Sequence, residues 1–388
     1  MIGACVFLAL YLSACDTSQT PQTPQTPRAI QPTTTQQIQQ PTPTPTPEPE
    51  ATGIRPQKQP TPTQNAVTPT PSPGAQATKT NAPPAPVSDG GHPVLAFYYP
   101  WYNQSTWTAS KMSDLPTIQY NSTDDTTIER QVDWAASAGI TGFISSWWGI
   151  NDQNDQNFGK VLTHASALEG RTHYHFASSV YFECDSPNLG NSENMVAALR
   201  YLNSHYGNDP HFFHWQGKPV IFFWDPLGNG RTIAQWASIR SKADPNNQMI
   251  WSAEGVNMDM LSVFDGIHLF SGGYWGIQHG NMPVVDQSFR NQVTAYNSAH
   301  QTNKIWAAGI IPGYDDTRVP GRTGTYIVPR NDGATYGTSW SAAIASHPEW
   351  ITITSFNEWY EGAMIEPSVT YGMRYLTLTQ QYAQQWHG

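Results

Sequence analysis

Two glutamates three residues apart, Glu358 and Glu361, are the residues of this chain best suited to do chemistry. They follow the apolar run Ile351–Phe356. Carboxyl groups that share an aromatic pocket push their pKa values apart, so that one can serve as an acid and the other as a base. Such a pair is typical of glycosidases, in which one carboxyl group protonates the leaving oxygen and the other acts as base or nucleophile. The alternative interpretation is two solvated loop glutamates.

Aromatic and acidic side chains also stand at the ends of other apolar runs. Flat aromatic rings can stack on sugars, whereas the alternative interpretation places the rings in the core and the carboxylates in ion pairs. Side chains alternate along a strand, so about half of the paired aromatic residues should face the core. Asn357 is placed to orient Glu358 or to satisfy loop backbone. The candidate sugar contacts are Tyr99, Trp101, Trp147, Trp148, Glu183, Asp225 and Asn357.

The charge of the chain argues against one class of partner. Of 388 residues, 19 are basic and 29 acidic, which gives a net charge of −10 and argues against nucleic acid, because phosphate binding needs clustered Lys and Arg.

Cys184 is the only cysteine beyond the N-terminal stretch, and we predict a buried, inert thiol there. His173 and His175 alternate as metal ligands could, but no third ligand is spaced to join them, so we predict no metal site.

The elements that must position these residues form a repeating pattern. Apolar runs typical of buried parallel strands alternate with amphipathic stretches, the first of which has capping-box spacing from Thr126 to Glu129. Eight repeats predict a (β/α)₈ TIM barrel, whose site lies at the C-terminal ends of its strands. The predicted strands are Val94–Tyr99, Gly142–Trp147, Tyr174–Phe182, Pro219–Trp224, Met249–Ala253, Gly266–Phe270, Ile305–Ile311 and Ile351–Phe356.

The first 92 residues differ from the rest. Residues 1–15 read as a lipoprotein signal peptide, with a short apolar segment and a lipobox-like Leu12-Ser13-Ala14-Cys15. The alternative is an uncleaved apolar N-terminus. Residues 16–92 are rich in Pro, Thr and Gln and predict a disordered linker before a catalytic domain at 93–388. Lipid on Cys15 would tether the protein to a membrane, at the cell surface or in the periplasm.

A longer motif carries a family resemblance. Ile353–Gly362, followed by Ile365-Glu366-Pro367, resembles the signature of glycoside hydrolase family 99, the endo-α-1,2-mannosidases and bacterial endo-α-1,2-mannanases. Further matches in the family's order lie at 97–102, 138–149, 206–207 and 312–318. Together these motifs span nearly all of the predicted catalytic domain.

The resemblance implies a retaining endo-glycosidase that cleaves internal α-1,2-mannosidic bonds of mannans or mannose-containing glycans through a 1,2-anhydro sugar. By position it implies that Glu358 is the base on the sugar 2-hydroxyl and Glu361 the general acid and base. It also implies sugar contacts at Asp316, Arg318 and Tyr360, the last of which is His in many family members. This chemistry requires no metal or organic cofactor.

Two other functions fit the same residues. One keeps the barrel and the glutamate pair but acts on another α-linked polysaccharide. The other is a non-catalytic carbohydrate-binding surface lipoprotein. In each case we expect a glycan partner and a monomer.

Overall fold

Eight parallel strands close into a barrel in the computed structural model, which describes residues 91–270, 272, 276 and 281–388. The first strand pairs with both the second and the eighth, and the third pairs with the fourth, so the ring is complete. The predicted barrel is therefore confirmed. The strands are β1 Val94–Tyr98, β2 Gly142–Trp147, β3 Ser179–Glu183, β4 Lys218–Trp224, β5 Ile250–Glu254, β6 Gly266–His268, β7 Ile305–Ile310 and β8 Trp350–Ile353.

Helices cover the outside of this ring. None of those within the described ranges combines the length and apolarity needed to cross a bilayer. Two short antiparallel pairs accompany the parallel strands. His214–Trp215 pairs with the start of β4, and Tyr314–Asp315, which follows β7, pairs with Ile327–Val328. The helices are α1 Asp125–Ser137, α2 Gln153–Thr172, α3 Ser192–His205, α4 Ile233–Ala243, α5 Met282–His300, α6 Ala334–Ala345 and α7 Arg374–His387.

Strand alternation divides the core into two layers. Along β1, Leu95 and Phe97 fill the barrel interior, whereas Ala96 and Tyr98 pack against the helices. Because both layers are apolar, every residue of β1 is buried. This two-sided burial explains the continuous apolar runs of the sequence. It also means that a side chain two positions beyond Phe97, at Tyr99, points toward the mouth of the barrel.

Two local predictions have different outcomes. The capping box at Thr126 is wrong: α1 begins at Asp125, its N-cap Asp124 makes no side-chain cap, and the spacing falls inside the first turn. Cys184 is a buried free thiol, as predicted, and burial raises its pKa well above the ordinary value. The predicted signal peptide, Cys15 and most of the linker lie outside the described residues.

Candidate active site

The chain leaves β8 into a tight loop that carries both predicted catalytic glutamates. The backbone N–H of Glu358 donates to Ser355 Oγ at 2.6 Å, and Ala363 N–H donates back to the Glu358 carbonyl at 3.3 Å. Ser355 N–H also donates to the Ala363 carbonyl at 2.8 Å. Glu361 is held separately, because its carbonyl accepts from Asp315 N–H at 2.8 Å. The loop therefore fixes both glutamates at the same edge of the barrel.

Glu358 is the more buried of the two glutamates, with 4% of its surface exposed. Its Oε1 accepts from the Tyr102 hydroxyl at 3.3 Å and from Tyr360 N–H at 3.2 Å. Burial raises the pKa of Glu358 well above its usual range, and the charge of Glu361 raises it further, while Arg322 opposes both effects. The raised pKa means that an ionised Glu358 is a stronger base than an ordinary carboxylate.

Glu361 forms an ion pair with Arg322, whose Nη1 lies 2.7 Å from its Oε1. The same nitrogen lies 3.2 Å from Asp316 Oδ2 and 3.1 Å from the Tyr314 hydroxyl. Asp316 is nearly fully buried, and its other oxygen accepts from Tyr326 N–H at 2.8 Å. The predicted site residue Asp316 thus reaches Glu361 through Arg322, which the sequence analysis did not identify.

Asn357 connects this loop to the end of β1. Its Oδ1 accepts from Tyr99 N–H at 2.7 Å, and its Nδ2 donates to the Tyr99 carbonyl at 3.1 Å. The amide also donates to the Tyr120 hydroxyl at 3.2 Å. Asn357 therefore positions backbone and does not contact the Glu358 carboxylate directly, so it orients its neighbour through the loop.

Glu366 supports the glutamate loop from beneath. Its two oxygens accept from Gln131 Nε2 at 2.6 Å, and from the Tyr120 hydroxyl and Trp359 Nε1 at 2.9 Å each. Burial nevertheless raises the pKa of Glu366 to about 7. Its motif was visible in the sequence, but only the fold shows that it braces Trp359, which lies between the two catalytic candidates. We call Asn357, Glu358, Glu361 and Glu366 the β8 side of the mouth.

Three carboxyl groups form the β4 side of the mouth: Glu183 and Glu254 end β3 and β5, and Asp225 directly follows β4. Ser146 Oγ donates to Glu183 Oε1 at 2.6 Å, and the same Ser146 Oγ accepts from Trp148 Nε1 at 2.9 Å. Burial raises the pKa of both Glu183 and Glu254 to about 8. These carboxyl groups are therefore hydrogen-bond donors as well as acceptors near neutral pH.

Carboxyl groups on each side of the mouth affect the pKa values of groups on the other side. Glu361 contributes to the raised pKa of Glu183, and burial together with Glu358, Glu183 and Glu361 raises the pKa of the Tyr99 hydroxyl. Asp225 is half-buried, with its pKa raised by burial and by Asp185. The predicted carboxylates thus surround one space above the barrel.

Aromatic rings line the rim. Trp101 lies 4.7 Å from Tyr99 and 6.1 Å from Trp148, measured between ring centroids. Tyr360 lies 6.0 Å from Tyr102 beside the glutamate loop. Each of the predicted contacts Trp101, Trp148 and Tyr360 keeps part of its surface exposed. These rings are therefore available to stack on sugars.

Two predicted sugar contacts are held by partners within the protein. Trp147 is 0% exposed, stacks on Phe182 and donates to Asp155 Oδ1 of α2 at 2.9 Å, because its strand position faces the helices. Arg318 donates to the carbonyls of Ala109 and Met112 at 2.9 Å each, and so holds the β1–α1 segment. The structure assigns Trp147 to the core and gives Arg318 a backbone-bracing contact.

Comparisons with known proteins identify the family of this chain. Residues 92–384 match the family model described as Glycosyl hydrolase family 99. The chain is 26% identical over 304 residues to the glycoprotein endo-alpha-1,2-mannosidase of Mus musculus, covering 73% of this chain and 63% of that protein. For the glycoprotein endo-alpha-1,2-mannosidase-like protein of Danio rerio the identity is 28% over 273 residues, with 64% and 58% covered. The chain thus spans less than two thirds of the length of these curated relatives.

A solved structure shows the same architecture. The GH99 endo-alpha-mannosidase from Bacteroides thetaiotaomicron, in complex with bis-tris-propane, matches with a TM-score of 0.63 at 23% identity. The match covers 77% of this chain and 97% of that one. The shared barrel and the family match over most of the chain agree with the motif resemblance. This chain belongs to glycosyl hydrolase family 99.

Proposed function

We propose that this protein is a retaining endo-glycoside hydrolase that cleaves internal α-1,2-mannosidic linkages of mannans or mannose-containing glycans. The single observation that carries the proposal is the pair Glu358 and Glu361, fixed on one loop in an aromatic-lined mouth. Support for the mannose substrate comes from the family membership and from relatives that bear the name endo-alpha-1,2-mannosidase.

The proposed first step uses the sugar's own 2-hydroxyl. In α-linked mannose this hydroxyl is axial and lies anti to the leaving oxygen. Glu358 takes its proton, the oxygen attacks C1, and the C1–O glycosidic bond breaks as Glu361 protonates the leaving oxygen. The product is a 1,2-anhydro sugar. Glu361 then takes a proton from water, hydroxide attacks C1, the epoxide bond opens, and Glu358 returns its proton to the 2-oxygen. Two inversions give retention.

The proposed first step needs an ionised Glu358 and a protonated Glu361. Burial and the charge of Glu361 raise the pKa of Glu358, which makes the ionised Glu358 a stronger base for the sugar 2-hydroxyl. Arg322, ion-paired with Glu361, lowers the pKa of Glu358 and so favours its ionised form. Arg322 therefore supports the charge balance that the step requires.

The test incubates the purified full chain with an α-1,2-linked mannan and follows released oligosaccharides. Glu358→Gln and Glu361→Gln should each lose about 1,000-fold in kcat. Glu193→Gln, an exposed glutamate in the first turn of α3, is the matched control and should keep wild-type turnover. Short products with a retained α-anomer, from the wild type and the control alone, would support the proposal.

Three other outcomes would change the proposal. If a panel of α-linked glycans showed cleavage of another glycan only, the proposed substrate would be replaced. The roles of the two glutamates would still stand if both glutamine variants lost activity on that glycan. No cleavage, with the glycan retained equally by wild type and both variants, would favour the non-catalytic binding protein. An undiminished rate in Glu361→Gln would overturn the role given to that residue.

We also propose that the mature protein is a lipid-anchored monomer at the cell surface or in the periplasm. The support is the sequence alone, through the lipobox-like segment ending at Cys15 and the following Pro- and Thr-rich stretch. Cys15→Ser should move the protein from the membrane fraction to the soluble fraction, and light scattering of detergent-free soluble protein should give a monomer mass. Unchanged membrane retention of Cys15→Ser would contradict the anchor.

A further inference from the structure

A cluster of two histidines and one glutamate lies at the N-terminal face of the barrel, at the end opposite to the glutamate pair. Glu169 is near the end of α2, His175 leads into β3, and His211 lies between α3 and β4. One ligand atom from each lies within 4.8 Å of the other two. The sequence spacing offered no third ligand, whereas the fold brings two residues to His175. His173 is not part of the cluster.

The distances within the cluster fit a shared metal ion. His175 Nδ1 lies 3.3 Å from Glu169 Oε1, and His211 Nε2 lies 3.4 Å from Glu169 Oε2. Both exceed the roughly 2.7–2.9 Å of a charge-assisted hydrogen bond. Ligands about 2.0–2.1 Å from a tetrahedral zinc ion stand about 3.4 Å apart. The three side chains are therefore close enough to share one ion, and the same distances also fit direct histidine–glutamate contacts, which the experiment below separates.

The orientation of His211 points the same way. Its Nδ1 lies 3.2 Å from the Phe176 carbonyl, which can only accept, so Nδ1 carries the hydrogen. Nε2 faces the Glu169 carboxylate, which also only accepts. A cation must therefore lie between these two atoms, and it is either a hydrogen on Nε2 or a metal ion bound by both. A carbonyl that holds the remote nitrogen is a common second partner of metal-bound histidine.

The cluster is both rigid and accessible. His211 is 5% exposed, its carbonyl accepts from Ser178 N–H, and its N–H donates to Asp209, each at 2.8 Å. The side chains of Glu169 and His175 are 41% and 31% exposed. An ion can therefore enter from solvent and keep one water, while the buried histidine stays fixed.

We propose that His175, His211 and Glu169 bind one Zn²⁺ ion, with water as the fourth ligand. Two imidazoles and one carboxylate suit zinc and its transition-metal neighbours, whereas Ca²⁺ and Mg²⁺ prefer oxygen ligands. The ion would join α2, β3 and the segment before β4. This end of the barrel governs stability, since the reaction belongs to the other end. The zinc is therefore structural.

The experiment measures zinc itself on the untagged full chain. After dialysis against EDTA and then metal-free buffer, Zn²⁺ alone is titrated by calorimetry, and the metal left after a second dialysis is measured by mass spectrometry. We expect one equivalent in the wild type. Glu169→Gln and His175→Gln should weaken the affinity by about 100-fold or more. His173→Asn is the matched control, because His173 is exposed, has φ +61° and lies two residues from His175.

Melting of the wild type provides an independent measurement that needs no variant. The melting temperature should be several degrees higher in Zn²⁺ than in EDTA, because zinc binds the folded state. It should be equal in the two buffers for Glu169→Gln. No retained zinc in the wild type, equal melting in both buffers, or wild-type affinity in both ligand variants would overturn the proposal and leave a histidine–glutamate ion pair.

Discussion

The two sides of the barrel mouth hold their carboxyl groups by different means. On the β8 side, Glu358, Glu361 and Glu366 each have direct partners: a hydroxyl and an N–H, a guanidinium, and three donors. On the β4 side, Glu183 accepts from one hydroxyl, that of Ser146, and burial raises the pKa of Glu183 and Glu254 to about 8. Under the proposed function, the β8 side would carry out proton transfer, whereas the β4 side would offer neutral carboxyl groups to sugar hydroxyls.

Among the variants that test this comparison of the two sides, the largest effect is expected from removing the cation of the β8 side. Arg322→Gln removes the cation beside Glu361 and Asp316, and should lower kcat by about 100-fold. Because a nearby cation favours ionised carboxylates, its loss raises the pKa of Glu358 further, and the acidic limb of the pH–rate profile should move to higher pH. The measurement is kcat/KM against pH on the mannan substrate.

Arg318→Gln is the matched control for Arg322→Gln. Arg318 bonds to backbone carbonyls, so its loss should lower the melting temperature and leave the pH limbs in place. Equal pH shifts in the two variants would show that Arg322 has no special role, and the organisation assigned to the β8 side would fail.

A smaller effect is expected on the β4 side. If protonated Glu183 donates to a sugar hydroxyl, the wild-type KM should rise as pH passes about 8, because the ionised group can no longer donate. Glu183→Gln keeps an N–H donor, so its KM should stay flat across that range, within about tenfold of wild type at pH 6. A collapse of kcat at every pH would instead place Glu183 in proton transfer and remove the contrast between the sides.

The aromatic rim gives a third test, in which the expected change in KM is about threefold. Trp148→Phe should raise KM because a smaller ring stacks less well on a sugar, with little change in stability. Its neighbour Trp147 is fully buried, so Trp147→Phe should lower the melting temperature by several degrees and leave KM unchanged. Calorimetry and Michaelis–Menten kinetics on both variants check this. A KM change in Trp147→Phe alone would reverse the assignment.

The smallest effect concerns stability alone. Glu183, Glu254 and Glu366 have pKa values raised by burial to about 7 or 8 in the folded state, above the ordinary value of 4.5. Their stabilising contribution is full below pH 4.5 and is lost as pH rises through 7 to 8, because the unfolded chain then binds fewer protons than the folded one. The melting temperature of Glu183→Gln should therefore fall less between pH 6 and pH 9 than that of wild type. An identical slope would contradict the raised pKa.

The fold could be predicted because its signal is local. Strands apolar on both faces occur only where a sheet is covered on both sides, and eight of them in order specify a barrel. The strand ends then identified Glu358, Glu361 and Glu183 as candidates for one cleft. The barrel prediction, which depends on the order of elements along the chain, is confirmed, and the roles of these carboxyl groups stay predictions.

Residues set by distant contacts could not be predicted in the same way. Arg322 reaches Glu361 only because Tyr314–Asp315 pairs with Ile327–Val328 and folds the rim loop inward. Nothing in the spacing favours it over Arg318. Trp147 and Trp148 differ by one position, and the choice between core and cleft depends on strand register. His211 lies near His175 only because the segment before β4 packs beside the segment before β3, a contact that the sequence spacing does not indicate.

The side-chain amide of Asn357 has a consequence for the order in which the protein loses activity and unfolds. It bonds to both the N–H and the carbonyl of Tyr99, across 258 positions of sequence, at the seam where the first and last strands of the ring meet. If that seam loosens, the glutamate loop loses its reference point while the helices and most of the ring remain intact. Heat or mild denaturant should therefore abolish turnover before the far-ultraviolet circular dichroism changes, so that loss of activity reports the opening of the barrel.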